Sequence, residues 1–150
     1  MKISAGILPF RRTSSGVEVY LVHMGGPYWR KKPRSWSVVK GEAKEDEALL
    51  AAAKREFHEE TGQAIGGEFL PLGEVRTSNK RIVVWAVEAE PSTDIVSNTF
   101  TIEWPPKSGK MQAFPEVDRA AWFGLEEAKE KIVASQVPLL ERLEELLKRD

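Results

Sequence analysis

The sequence of 150 residues contains no cysteine. That excludes disulfides, thiolate metal sites and cysteine nucleophiles, and it permits a reducing compartment. No apolar run approaches the roughly 20 residues of a membrane-spanning helix. The start, MKISAGILPFRR, carries too short an apolar stretch for a signal peptide, so a cytoplasmic location is expected. Charge of one sign is lacking too: 22 Lys and Arg against 23 Asp and Glu leave a net charge of −1. Bulk attraction to nucleic acid or an anionic membrane therefore has no basis. No repeat or low-complexity segment occurs. With 41% hydrophobic and 30% charged residues, the composition is that of a globular chain, and the length suits one domain over residues 1–150.

The order of elements predicts a mixed fold. ISAGILPFRR and VEVYLVHM, joined by TSSG, read as a β-hairpin. GGPYWRKKPR is a loop, SWSVV a short strand and KGEAKED a second loop. Strong helix formers run from Glu47 to Thr61 and stop at Gly62. EFLPLGEVRT and RIVVWAVEAE form a further strand pair, and FTIEW alternates as a strand. PPKSGKMQAFPEVD reads as a long polar loop. AAWFGLEEAKEKIVAS is a strand end followed by a helix. VPLLERLEELLKRD is an amphipathic helix with Pro138 suited to its first turn. Its stripe of Leu139, Leu140, Leu143, Leu146 and Leu147 faces a core or a second copy of the chain. Strands and helices do not alternate regularly, so the expectation is a mixed sheet between helices rather than a doubly wound fold.

The helix ending in KREFHEETG is chemically unusual. At 100° per residue, Glu56 and Glu60 lie within about 20° of Leu49, with Glu59 beside them. The apolar face of the helix thus becomes a carboxylate face in its last two turns. Like charges at this spacing repel. Burial adds a desolvation cost, and the C-terminal end of a helix disfavours anions. Arg55 can offset one carboxylate. A divalent cation can offset all three, and an all-oxygen donor set suits Mg²⁺ or Mn²⁺. The alternative is a solvated acidic face.

Gly41, Glu47, Arg55, Glu56, Phe57, Glu59, Glu60 and Gly62 stand at the spacings of the Nudix box, and this stretch (41–63) resembles that signature of the Nudix hydrolases. Two positions depart from the family pattern. Gln63 stands where an apolar residue is usual, and Val39 where many relatives have proline. SAGILPF, VYLVHMGGPYW, WSVVKGE and FPEVDRAAWF also look like segments of small single-domain members.

The resemblance implies an α/β (α+β) Nudix fold, an α/β/α sandwich with a mixed β-sheet. It implies a pyrophosphohydrolase acting on a nucleoside diphosphate linked to another moiety, with a nucleoside triphosphate or dinucleoside polyphosphate as the leading substrate. ADP-ribose, a nucleotide sugar, a capped RNA end or a non-catalytic nucleotide sensor are the alternatives. By the box, Glu56, Glu59 and Glu60 would ligate Mg²⁺ (or Mn²⁺), with the Gly41 carbonyl as a further ligand. Glu56 or a loop carboxylate would activate water. Glu47 and Arg55 would form a bracing pair. Outside the box, Glu116 is the candidate base and Asp118 the second. Lys40, Arg34, Lys107 and Lys110 are loop cations that can approach phosphates. Tyr28, Trp29 and Trp104 are candidates for stacking on a nucleobase. Trp36, Trp85 and Trp122 are assigned to the core, and His23 to a structural hydrogen bond. The expected partner is a nucleotide-type small molecule, with no extended nucleic acid and no membrane, for a monomer or homodimer.

Overall fold

The computed structural model describes residues 2–149. Alternating side chains on the strands divide the apolar residues between two faces, which is what a period of two requires of a sheet covered on both sides. In the first strand, β1 (Lys2–Thr13), Ala5 and Ile7 point to one face and Leu8 and Phe10 to the other. In β2 (Gly16–Met24), Tyr20 and Val22 join the first face, and Val19 and Leu21 the second.

β1 is the organising strand. One edge pairs antiparallel with β4 (Val39–Glu42) through Ser4–Ile7 and with β2 through Phe10–Thr13. The other edge pairs parallel with β6 (Lys80–Glu88) from Lys2 to Phe10. β5 (Leu70–Thr77) continues antiparallel from β6. β2 in turn pairs with β3 (Trp36–Ser37) further along the edge that holds β1, and with β9 (Val117–Gly124) along its opposite edge. The result is one seven-stranded mixed sheet.

Helix α1 (Leu49–Thr61) covers one face, packing over β1 and β4 with Ala52, Ala53 and Phe57 buried. Helices α2 (Leu125–Lys131) and α3 (Val137–Lys148) cover the other. The leucine stripe of α3 is core: Leu139, Leu140 and Leu143 are fully buried, with Leu146 and Leu147 packed at the margin. This is the expected α/β sandwich. Trp36 is buried, and Trp85 and Trp122 pack at the edge of the α1-side core. Among the described residues, no helix is long and apolar enough to cross a membrane.

Four local expectations change. Helix α1 begins at Leu49, not Glu47, because Lys44–Glu47 closes a turn whose Glu47 carboxylate accepts the Lys44 N–H at 3.1 Å. Lys40–Glu42, read as loop, is the end of β4. The supposed loop 105–118 contains β8 (Met111–Pro115), which pairs with β7 (Thr99–Glu103) as a separate two-stranded ribbon. Neither face of β8 is buried, so no apolar alternation marked it. β9 begins at Val117, ahead of its apolar stretch, and its polar start leaves Asp118 and Arg119 exposed.

Candidate functional site

The site forms where the C-terminal half of α1 meets β4 and the start of β9. Gly41 is required by close approach. A Cβ there would collide with the Glu56 carboxylate, so only glycine lets that side chain lie against β4. The helix stops at Gly62, in the left-handed conformation at φ 77°. Beyond it Asn98 ties two parts of the site together: its N–H donates to the Glu59 carbonyl, and its own carbonyl accepts from the Glu116 N–H, both at 2.9 Å.

Arg55 is the hub of the box. Its Nε and Nη2 donate to the two oxygens of Glu47 at 2.8 and 2.9 Å, a bidentate pair. Nη1 donates to Glu56 at 2.9 Å and Glu59 at 3.0 Å, and Nη2 reaches the Glu42 carbonyl at 3.2 Å. The Arg55 hydrogen bonds, ahead of all else, hold the Glu47 carboxyl down at about 2. The same pair raises Arg55 above its ordinary range. Glu47 and Arg55 thus tie the loop before α1 to the helix.

Glu60 is the most buried carboxylate of the group, 8% exposed. Burial pushes its carboxyl up to about 8; Lys40 opposes that rise, while Glu56, Glu116 and Glu59 add to it. Burial also raises Glu56, against the hydrogen bond from Arg55. Lys40 is lowered, first by desolvation and then by Lys80, with Glu60, Glu116 and Glu56 pulling the other way. Glu56, Glu60, Glu116 and Lys40 thus form one electrostatic cluster of three acids around one ammonium group.

Other candidates lie elsewhere. Asp118 accepts from His23 Nδ1 at 2.8 Å, and the His23 ring is buried edge-on against Trp36, which is the structural role expected of it. Arg34 donates from Nη1 to the carbonyls of Lys129 and Ile132 at 2.8 and 2.9 Å. Its guanidinium therefore serves the end of α2. Lys107 and Lys110 are exposed in the turn of the β7–β8 ribbon. Trp29 lines a pocket of about 230 Å³ with Lys40, Thr77, Lys80 and Gln136, whereas Tyr28 and Trp104 line a different one. Sequence reasoning missed Asn98, which acts through its backbone and so leaves no side-chain signal. It also missed Lys80, a strand-end lysine recognisable only once β1 and β6 are paired.

A family model, NUDIX domain, matches residues 1–143. The chain belongs to the Nudix family of pyrophosphohydrolases. Solved structures of Nudix proteins superpose on nearly its whole length. A Caenorhabditis elegans Ap4A hydrolase in a binary complex has a TM-score of 0.70 at 19% identity, covering 100% of both chains. The NUDIX domain of Shewanella oneidensis NrtR, complexed with ADP ribose, has 0.68 at 17% identity, covering 97% of this chain and 87% of that one. A Nudix hydrolase from Listeria monocytogenes has 0.67 at 19%, covering 99% and 96%. At such identities the likeness establishes the Nudix fold and no more. No curated protein sequence matches the chain.

The family implies a divalent cation, and the donor chemistry of this Nudix site fits one. Three carboxylates and a backbone carbonyl make a hard, all-oxygen set, and the space kept free by Gly41 is filled by a carboxylate rather than an apolar group. In the conformation described, Arg55 draws Glu56 and Glu59 to itself. Among the described residues, no three histidine, aspartate or glutamate side chains are placed to hold a metal ion as they stand. A cation would have to compete with Arg55 for two of the three.

Proposed function

We propose that this Nudix hydrolase cleaves the pyrophosphate bond of a nucleoside diphosphate linked to another moiety, using Mg²⁺, with Mn²⁺ as a substitute. Its foremost substrates are nucleoside triphosphates and dinucleoside polyphosphates, drawn from the cytoplasmic nucleotide pool. The observation that carries this reading is the half-buried cluster of Glu56, Glu60 and Glu116 around Lys40. Such a concentration of desolvated acid disfavours the folded protein unless a cation offsets it.

Glu56, Glu59 and Glu60, with the Gly41 carbonyl, would hold the cation. When bound, it neutralises phosphate oxygens and makes a water more acidic. Lys40 offers the phosphate chain an ammonium group whose desolvation strengthens each contact. Glu116, adjoining Glu60 and Lys40, accepts the proton of the attacking water as it bonds to phosphorus and the bridging oxygen departs with a phosphate. Asn98 holds the Glu116 backbone and the end of α1 in fixed relation. Arg55 and Glu47 keep the helix registered on its loop and touch no substrate.

The NrtR domain described as complexed with ADP ribose makes ADP-ribose the second substrate to test. Purified protein incubated with Mg²⁺ and nucleoside triphosphates, dinucleoside polyphosphates, ADP-ribose, nucleotide sugars and capped RNA, followed by product chromatography, decides among them. Metal-dependent cleavage of the first two classes is the expected result. No cleavage of any substrate with Mg²⁺ or Mn²⁺ would leave a nucleotide-binding domain.

A further inference from the structure

The loop before β3 and the tip of the β7–β8 ribbon build a second cleft that the carboxylate cluster does not use. Its volume is about 580 Å³, and it is lined by Pro27, Tyr28, Arg30, Lys31, Lys32 and Trp104. The two sides are held against each other at the base. The Gly25 N–H donates to the Glu116 carbonyl at 2.9 Å, and the Phe100 ring occupies the space where a side chain on Gly26 would stand. Tyr28 is 63% exposed, an unusual position for a large ring on a protein with a well-filled core. Three cations line one cleft, and no carboxylate does. The Lys32 ammonium lies 4.5 Å from the centre of the Tyr28 ring. Arg30 and Lys31 have no ion-pair partner among the described residues, in a chain where most arginines do.

We propose that this cleft is a second nucleotide subsite, which takes the far nucleotide of a two-headed nucleoside polyphosphate. The cleft has the size of a small-molecule site. Tyr28 and Trp104 give a nucleobase two ring surfaces, and Arg30, Lys31 and Lys32 give its phosphates three positive charges. An anion without a ring would have no use for the aromatics, and an extended nucleic acid would need a longer basic track than one loop. The cleft also adjoins the pocket beside the cluster. Tyr28 and Trp29 meet edge to face at 5.2 Å, and Trp29 lines the pocket that contains Lys40. A polyphosphate crossing that aromatic pair would have one end at Lys40 and the other at Arg30–Lys32. The proposal rests on the hydrolase reading for its substrate, but the subsite is testable without turnover.

Metal-free protein titrated with ADP, followed by amide chemical shifts in NMR, tests the subsite directly. Shifts at residues 28–32 and 103–110 are expected, and they should be weaker with pyrophosphate alone. Tyr28→Ala and the triple change Arg30→Ala, Lys31→Ala, Lys32→Ala should each weaken binding there about tenfold, while Tyr28→Phe should retain it, because stacking needs only the ring. In kinetics, the same two losses should raise KM for a dinucleoside tetraphosphate about tenfold more than KM for a nucleoside triphosphate. Shifts confined to the surroundings of Lys40, equal response to pyrophosphate and ADP, or equal KM changes for both substrates would overturn the subsite. If no substrate is cleaved yet ADP moves the cleft amides, the hydrolase reading fails and the subsite stands. Cleavage without those shifts gives the reverse.

Discussion

Glu60 and Gly41 carry the sharpest consequences at the scale of single residues. Glu60→Gln keeps the shape of the side chain and removes its charge. It should reduce Mg²⁺-dependent turnover by about 100-fold or more, the scale at which even residues that support metal ligands act. A thermal melt should show the fold intact, and an unchanged rate would remove Glu60 from the metal set. Gly41→Ala acts through space. Its new methyl group would meet the Glu56 carboxylate, and overpacking of that kind costs about 1–3 kcal/mol. Denaturant titration together with turnover should show both stability and activity reduced. A fully active Gly41→Ala protein would mean that Glu56 need not lie against β4.

At the scale of elements, Arg34 shows how an unpaired-looking loop cation finds work. It closes the end of α2 by donating to the Lys129 and Ile132 carbonyls, at the terminus where positive charge is favoured. Arg34→Ala should cost about 1.5–3 kcal/mol in chemical denaturation, the range for hydrogen bonds that involve a charged group. A change within a few tenths would show the contact to be idle. The residue also marks where sequence reading ended. The Nudix box was legible because its glycines and acids are fixed by local spacing along one loop and one helix. The central strands were legible as apolar, β-branched runs bounded by turn residues, and the leucine stripe of α3 because that helix buries one face. Arg34 was not, because its partners lie 95 and 98 residues away along the chain. β8 was not, because neither of its faces is buried and no apolar alternation marks it. The cluster of Glu116 with Lys40 was visible only as two separate possibilities until β9 and β4 were set around α1.

For the whole molecule, alkaline stability reports on the α1-side core. Tyr20 is fully buried beneath Phe57 and Trp122, and its hydroxyl donates to the Ser92 carbonyl at 2.7 Å. Burial pushes its phenol up to about 12, with Gln63 opposing. A pKa raised on folding means the folded state holds the proton more tightly than the unfolded chain, whose tyrosine titrates near 10. The stabilisation is complete below pH 10 and is lost as pH rises through 12, a difference of about 2–3 kcal/mol. Tyr20→Phe has no proton to lose. The stability gap between wild type and Tyr20→Phe, measured by denaturation across that window, should therefore move in favour of the variant by that amount. A constant gap would show that the ring ionises as freely in the folded protein as in the unfolded one.

The strand that organises the sheet precedes the sheet's other strands in the chain. β1 finds its antiparallel partners β2 and β4 soon afterwards, but its parallel partner runs from Lys80 to Glu88. Until the ribosome has released that stretch, one full edge of an apolar strand has nothing to pair with, and such edges invite other chains. Closing a parallel pairing across so long a separation is slow relative to local hairpins. The half-made chain is thus the stage at which this sheet exposes a pairing edge that the finished fold covers.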